Sequence, residues 1–223
     1  MKTRINEIFS SIQGEGPVVG YKQLFIRFCG CNLNCNYCDT EFQSGKEYTP
    51  IELAQKITSE YDLKTFHSIS LTGGEPLLSV EFLKNFLPII HNKIKIYLET
   101  NATLPDNLNQ IKKYIDIISA DIKLESASGK NTFKENAEFF EQCHGIYTFA
   151  KIVFDENITE EEIKNCANLG KQYNIELILQ PKTDANDKIL LSADFCNSML
   201  NKFTAVYTNV RLIPQVHKLL NIR

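Results

Sequence analysis

The sequence predicts an α/β fold built on a mostly parallel sheet. Short apolar runs of strand length alternate with amphipathic helical stretches along most of the chain. Two of the helical stretches open on a capping-box pattern, Thr49-Pro50-Ile51-Glu52 and Thr159 with Glu162. Polar and glycine-rich motifs sit just after the strands, where ligands gather in parallel α/β folds. The alternation gives six strand–helix units, too few for a closed eight-stranded barrel.

The elements follow in order. Residues 23–29 (QLFIRFC) read as a strand that runs directly into a cysteine loop. Thr49 is the N-cap of the first helix, Pro50 takes its first position and Glu52 closes the box, with Ile51, Ala54 and Ile57 on one face. Strands at 68–72, 95–100, 115–123, 147–154 and 175–180 alternate with helices at 80–90, 107–114, 133–143, about 160–173 and 189–203. A last strand is expected at 206–213. The acidic run Glu160-Glu161-Glu162 fits a first helical turn, where carboxylates complement the dipole. Ahead of the first strand, Gln13-Gly14-Glu15-Gly16 reads locally as a polar turn.

Composition bounds the function. The chain's 223 residues suit one domain with a sizeable core, and 43% hydrophobic with 23% charged residues is an ordinary globular balance. No apolar run approaches the ~20 residues of a membrane span. A net charge of −3 gives no electrostatic case for nucleic-acid binding. Seven cysteines, an odd number, and no secretory signal at the N-terminus place the expected setting in the reducing cytoplasm.

The chemistry concentrates in Cys31-Asn-Leu-Asn-Cys35-Asn-Tyr-Cys38, a C-x3-C-x2-C spacing. Three thiolates can hold three irons of a cubane [4Fe–4S] cluster and leave the fourth iron open to a small molecule. A zinc site would need a fourth ligand, which Cys29, Cys143, Cys166, Cys196 or a histidine offers. Cys29 itself reads as a small buried apolar residue. Gly73-Gly74-Glu75-Pro76 follows the second strand; locally it is a tight turn, and its bare peptide also lets a zwitterionic ligand approach. Glu99-Thr100-Asn101, Asp121-Ile122-Lys123 and Gln180-Pro181 end the third, fourth and sixth strands.

From about residue 23 to residue 181 these motifs resemble the radical S-adenosylmethionine (radical SAM) superfamily. The resemblance implies a partial (β/α)6 TIM-like barrel and a [4Fe–4S] cluster on Cys31, Cys35 and Cys38. It also implies S-adenosylmethionine (SAM) contacts at Tyr37, Gly73, Gly74, Glu75, Glu99, Asn101, Asp121, Lys123, Gln180 and Pro181. In that superfamily a reduced cluster cleaves SAM, and the 5′-deoxyadenosyl radical takes a hydrogen atom from substrate.

The flanks narrow the resemblance. Glu7-Ile8-Phe9-Ser10-Ser11-Ile12-Gln13-Gly14-Glu15-Gly16-Pro17 and Arg211-Leu212-Ile213-Pro214-Gln215-Val216-His217-Lys218 resemble the 7-carboxy-7-deazaguanine synthase family, as does Asp39-Thr40 after the last cysteine. That implies a lyase acting on 6-carboxy-5,6,7,8-tetrahydropterin, with ammonia released, in queuosine and 7-deazapurine biosynthesis. Ile12, Gln13, Gly14, Glu15, Thr72, Gln215, His217 and the Arg223 carboxylate would contact substrate, and the Arg27 fork its carboxylate. Glu15 would position the ring or move protons, and the Thr40 hydroxyl would bind a Mg2+ shared with substrate. A homodimer and an electron donor such as flavodoxin or ferredoxin are implied too. A single domain follows, with a substrate-binding segment at about 1–22 and a pocket tail at about 205–223.

The match departs after Lys123, where Leu124-Glu125-Ser126-Ala127-Ser128-Gly129 replaces a proline- and serine-rich stretch. Two other classes remain open on sequence: a glycyl-radical-enzyme activase, which would not need Gln13, Arg27 or Thr40, and a non-enzymatic zinc-binding interaction domain.

Overall fold

The computed structural model describes residues 1–33, 45–184 and 186–222. The described strands are β1 (Thr3–Ile12), β2 (Lys22–Phe28), β3 (Lys46–Tyr48), β4 (Ser68–Gly73), β5 (Lys95–Thr100), β6 (Ile117–Asp121), β7 (Tyr147–Phe154), β8 (Glu176–Pro181) and β9 (Val210–Leu212). They form one sheet in the order β3-β1-β2-β4-β5-β6-β7-β8-β9. Every pair from β2 to β9 is parallel, while β1 runs antiparallel to both β2 and β3.

The helices are α1 (Pro50–Glu60), α2 (Val80–Ile90), α3 (Pro105–Ile111), α4 (Glu125–Ser128), α5 (Phe133–Glu141), α6 (Glu160–Tyr173), α7 (Ala193–Thr204) and α8 (Val216–Leu219). The first seven lie in the crossovers between successive parallel strands. Because the strand order never reverses, right-handed crossovers put all of these helices on one face of the sheet. The other face is the concave interior of a partial barrel.

The two faces separate by the two-residue period of a strand. Leu24, Ile26, Ile69, Leu71, Ile96, Leu98, Ile118, Ile152, Leu177 and Leu179 belong to the main core with the helices. The alternate positions are mixed. Arg27 pairs with Thr72, Glu99 with Ser119, and Asp121 with Lys151 in register along the concave face. Lower in the barrel, Tyr97, Ile117, Phe149 and Ile178 form a second apolar cluster with Val18, and Ile213 packs on it.

Local rules place most elements. Both capping boxes close: Thr49 Oγ1 accepts from Glu52 N at 3.3 Å and Thr159 Oγ1 from Glu162 N at 3.2 Å, each glutamate accepting back from the cap N–H at 2.8 Å. β7 spans 147–154 as its sequence predicts. Other boundaries move. The helix expected from 189 begins at Ala193, because Ser192 caps it and Ile189 is bridged instead to Thr183. The strand expected over 206–213 is only Val210–Leu212, and the one over 115–123 only Ile117–Asp121. Ahead of the first expected strand lies the ten-residue strand β1, with only Ile5 and Ser11 buried along it, so its alternation is weak in sequence. Cys29 is half-buried rather than a core residue, although burial still pushes its thiol pKa up.

Candidate active site

The turn after β4 is set by close backbone approach. Gly73 has φ +113°, and Gly74 N donates to Phe28 O at 3.0 Å while Glu75 N donates to Gly30 O at 2.8 Å. A Cβ on Gly74 would lie 1.7 Å from Gly30 O and 3.2 Å from Cys31 N. The two glycines therefore let this turn dock on the backbone that leads into the cysteine loop. That cradle would be filled by any side chain.

Glu75 is fully buried. Its Oε1 accepts from Leu77 N at 3.0 Å and Thr100 Oγ1 at 2.9 Å, and its Oε2 from Asn101 N at 2.8 Å. Both oxygens thus tie the turn after β4 to the turn after β5. Burial raises its pKa to about 7, against the pull of the Asn101 and Leu77 amides, the Thr100 hydroxyl and Lys123. Asn101 is turned toward the first cysteine: its Nδ2 donates to Asn32 Oδ1 at 2.9 Å and reaches Cys31 Sγ at 3.8 Å, and Leu33 N points to the same sulfur at 3.4 Å. Tyr37, Cys35, Cys38 and Thr40 lie outside the described residues, as does Arg223.

Below this level a hydrogen-bonded chain crosses the concave face. Glu99 Oε1 accepts from Gln13 Nε2 at 2.9 Å and Ser70 Oγ at 3.1 Å, and its Oε2 from Thr72 Oγ1 at 2.7 Å. Gln13 also donates to Gln23 Oε1 at 3.0 Å, and its own carbonyl oxygen accepts from Glu15 N at 3.0 Å. Arg27 shares the face; its Nε donates to Glu7 Oε1 at 2.7 Å and its guanidinium stands 5.7 Å from the Phe9 ring centre. Ile12 ends β1, just ahead of this loop.

Glu15 reaches across to β7. It forms an ion pair with Lys151 of β7, and its Oε1 accepts from Gln180 Nε2 at 3.3 Å and Gln215 Nε2 at 2.6 Å. Burial pushes the carboxyl up, but Lys151, Gln215 and His217 overcome it and hold its pKa at about 2. Burial likewise disfavours the Lys151 charge, yet Glu15, Asp121 and Glu99 keep its pKa well above the ordinary lysine value. Lys151 was not anticipated from sequence, although a lone cation in the middle of the strand YTFAKIVF was the signal available.

The chain's C-terminal segment closes on the same loop. Val216 N donates to Gly14 O at 2.9 Å, and a Cβ on Gly14 would fall 2.0 Å from His217 Nδ1, so the bare glycine makes room for the imidazole. Thr183 Oγ1 donates to Gln215 Oε1 at 3.0 Å, and Lys218 reaches Thr183 at 2.8 Å and Asp187 at 3.1 Å. Gln13, Gly14, Glu15, Gln180, Gln215 and His217 are thereby gathered in one place from widely separated parts of the chain.

Asp121 pairs with Lys123 at 2.6 Å through Oδ2, while its buried Oδ1 has no hydrogen-bond partner among the described residues. Gln180 Oε1 is in the same condition. Pro181 closes β8 beside Phe154. Buried polar atoms without partners call for an explanation, and these two at the inner face of β6 and β8 fit a polar ligand held there. The glycine cradle beside Cys31 and these acceptors suit a cluster-bound, zwitterionic cofactor above a polar substrate.

Two outcomes follow from the upper level. Gly74→Ala should fold, by circular dichroism, but lose most of its iron and sulfide after anaerobic reconstitution; parent-like iron content would show that the backbone approach is not required. Glu75, with its pKa raised from the usual carboxylate value to about 7, favours the fold below about pH 4.5, and that contribution is lost as pH rises through 7. Relative to Glu75→Gln, the parent should therefore lose unfolding free energy between about pH 5 and 8, on the order of 1–3 kcal/mol. Denaturant titrations across that range check it, and parallel pH profiles would contradict it.

The radical SAM superfamily model matches residues 25–176. The chain is 33% identical to a 7-carboxy-7-deazaguanine synthase of Archaeoglobus fulgidus, with 100% of both chains covered. It is also 33% identical to that of Geobacter sulfurreducens, over 96% of this chain and 95% of the relative. A crystal structure of QueE from Escherichia coli shares the fold with a TM-score of 0.68 at 21% identity, over 97% of this chain and 95% of that one. Streptococcus suis SuiB bound to S-adenosylmethionine shares it with a TM-score of 0.57 at 21% identity, over 82% of this chain and 48% of that one. The sequence relatives set aside the activase and zinc-domain alternatives, and the chain belongs to the radical SAM superfamily and, within it, to the 7-carboxy-7-deazaguanine synthase family of lyases.

Proposed function

We propose that the chain converts 6-carboxy-5,6,7,8-tetrahydropterin to 7-carboxy-7-deazaguanine with release of ammonia, inside the partial barrel. The observation that carries this reading is the part-buried, ionised Glu15 carboxylate, held where the N-terminal loop, β7, β8 and the C-terminal segment meet. A pterin presents an amino–amide edge rich in donors, and an ionised acceptor in a low-dielectric interior recognises such an edge strongly.

Each residue has a part in this reading. Gln13 and Gly14 supply amide and backbone groups beside Glu15, with Ile12 at the loop's entry. Arg27, oriented by Glu7, offers a planar fork to the substrate carboxylate, while His217 and the Arg223 terminal carboxylate would contact substrate from the C-terminal segment. Thr72 presents a hydroxyl from the lip of β4, and Gln215 fixes Glu15.

Superfamily membership brings a [4Fe–4S] cluster and SAM. Cys31, Cys35 and Cys38 would hold the cluster. The Gly73-Gly74 peptide, Tyr37, Glu99, Asn101, Asp121, Lys123, Gln180 and Pro181 would border the SAM site, with Glu75 bracing its turns. When bound, the two supply the one-electron chemistry that removes a hydrogen atom from substrate. The protein's own share is to seal the interior from water and to fix the ring's orientation. Thr40 would give Mg2+ one oxygen, with substrate and water filling the octahedron. We place the enzyme in the cytoplasm as a homodimer served by a flavodoxin or ferredoxin. Residues 1–22 and 205–223 form the pocket's two flanks within one domain.

Anaerobic turnover of the carboxy-tetrahydropterin with SAM, Mg2+ and dithionite tests the assignment. The expected result is 7-carboxy-7-deazaguanine by mass spectrometry; SAM cleavage without that product would overturn it. In the same assay Arg27→Lys keeps the charge but loses the fork, so substrate binding should weaken by about 1–3 kcal/mol with SAM affinity nearly unchanged. Equal weakening of both ligands would make Arg27 a residue of the barrel wall only.

A further inference from the structure

We propose that Lys151 is a positioning residue: its ammonium holds the Glu15 carboxylate ionised and in place as the acceptor for the donor edge of the pterin. The inference rests on the substrate reading above and deepens it.

The geometry is that of a seated loop. Gly16, at φ +69°, lies against the Phe149 ring, where a Cβ would come within 2.5 Å of the ring edge. Two residues along the same face of β7, Lys151 takes the neighbouring Glu15. Glu15 Oε1 receives only the neutral amides of Gln180 and Gln215, so Lys151 is the cation bonded to it among the described residues.

The other titratable groups facing this pair are Glu99 and Tyr97 of β5, Asp121 of β6 and His217 of the C-terminal segment; Lys123 is spent on Asp121. Without Lys151, three carboxylates share the interior with Lys123 and His217. Desolvation then has little to oppose it, and Glu15 takes a proton and presents a donor where the pterin needs an acceptor. Burial of the ammonium supports the same assignment, because a lysine is kept fully buried only when it is paired.

The test uses oxidised 6-carboxypterin, which keeps the ring edge and carboxylate but has no hydrogen at C6 to abstract. Its dissociation constant is measured by fluorescence between pH 5.5 and 7.5, with reconstituted protein and SAM present. In Lys151→Met the affinity should fall toward acid pH, by up to about tenfold per unit below the new Glu15 pKa, beyond any change the parent shows. The readout is the limb that the variant gains over the parent. Lys151→Arg should keep the parent profile with affinity within about threefold of the parent's. Glu15→Gln and Glu15→Gln/Lys151→Met should bind equally and lack the limb, because Lys151 then has nothing to position.

A Lys151→Met profile parallel to the parent's overturns the proposal, as does a double variant about tenfold weaker than Glu15→Gln. Lys151→Arg binding as weakly as Glu15→Gln overturns it independently of whether the Met variant folds. Failure of the parent to bind 6-carboxypterin at all overturns the substrate assignment, and this proposal with it.

Discussion

An ammonium buried inside a barrel must be matched, and the pairing of Lys151 with Glu15 organises much of this molecule. Breaking a buried ion pair on one side costs about 3–5 kcal/mol, a large share of the stability of an ordinary domain. The loop after β1 can therefore enter the interior only if Lys151 of β7 receives it. Gln180 of β8 and Gln215 of the C-terminal segment complete the coordination of the same carboxylate. One group thus joins the loop after the antiparallel strand β1, which lies one strand in from the edge strand β3, to the segment that leaves β9 at the other edge. The two sides of this open barrel are linked by a polar cluster rather than by further strand pairing.

A second level rests on backbone contact. The Gly73-Gly74 turn lies directly on the Gly30–Cys31 backbone, and Glu75 splices that turn to the one after β5. Glu99 connects the two levels. It accepts from Thr72, the residue before the glycine pair, and from Gln13, which braces the Glu15 loop. A shift of the loop at Gln13–Glu15 is therefore coupled through Gln13, Glu99 and Thr72 to the turn beside the first cysteine. The two levels are held in fixed relation by three side chains.

The fold was largely legible because its signals are local. Strand β7, both capping boxes and the α2 stretch follow from periodicity and caps that need no tertiary partner. Strand β1 was not legible: most of its residues are only half covered, so its pattern does not separate from a polar loop. Strand β3 has three residues and no pattern to read. The site divides in the same way. Spacing and motif pointed to the cysteines, the glycine pair and Glu15. Lys151 depends on a pairing 136 residues apart in sequence, which no local rule contains. Glu75 was read as a cofactor contact, while its oxygens are committed to Leu77, Thr100 and Asn101, a role visible only once two turns are adjacent.

The central claim is that residues 13–19 and 213–218 close together over a substrate held in the barrel. Hydrogen–deuterium exchange of the reconstituted protein, with SAM present and 6-carboxypterin added or withheld, tests it most directly. The account predicts that the ligand slows exchange in peptides covering both segments, together with that of the strand segment around Lys151. Protection confined to the turns after β4 and β5, with both segments exchanging as in the ligand-free protein, would contradict it.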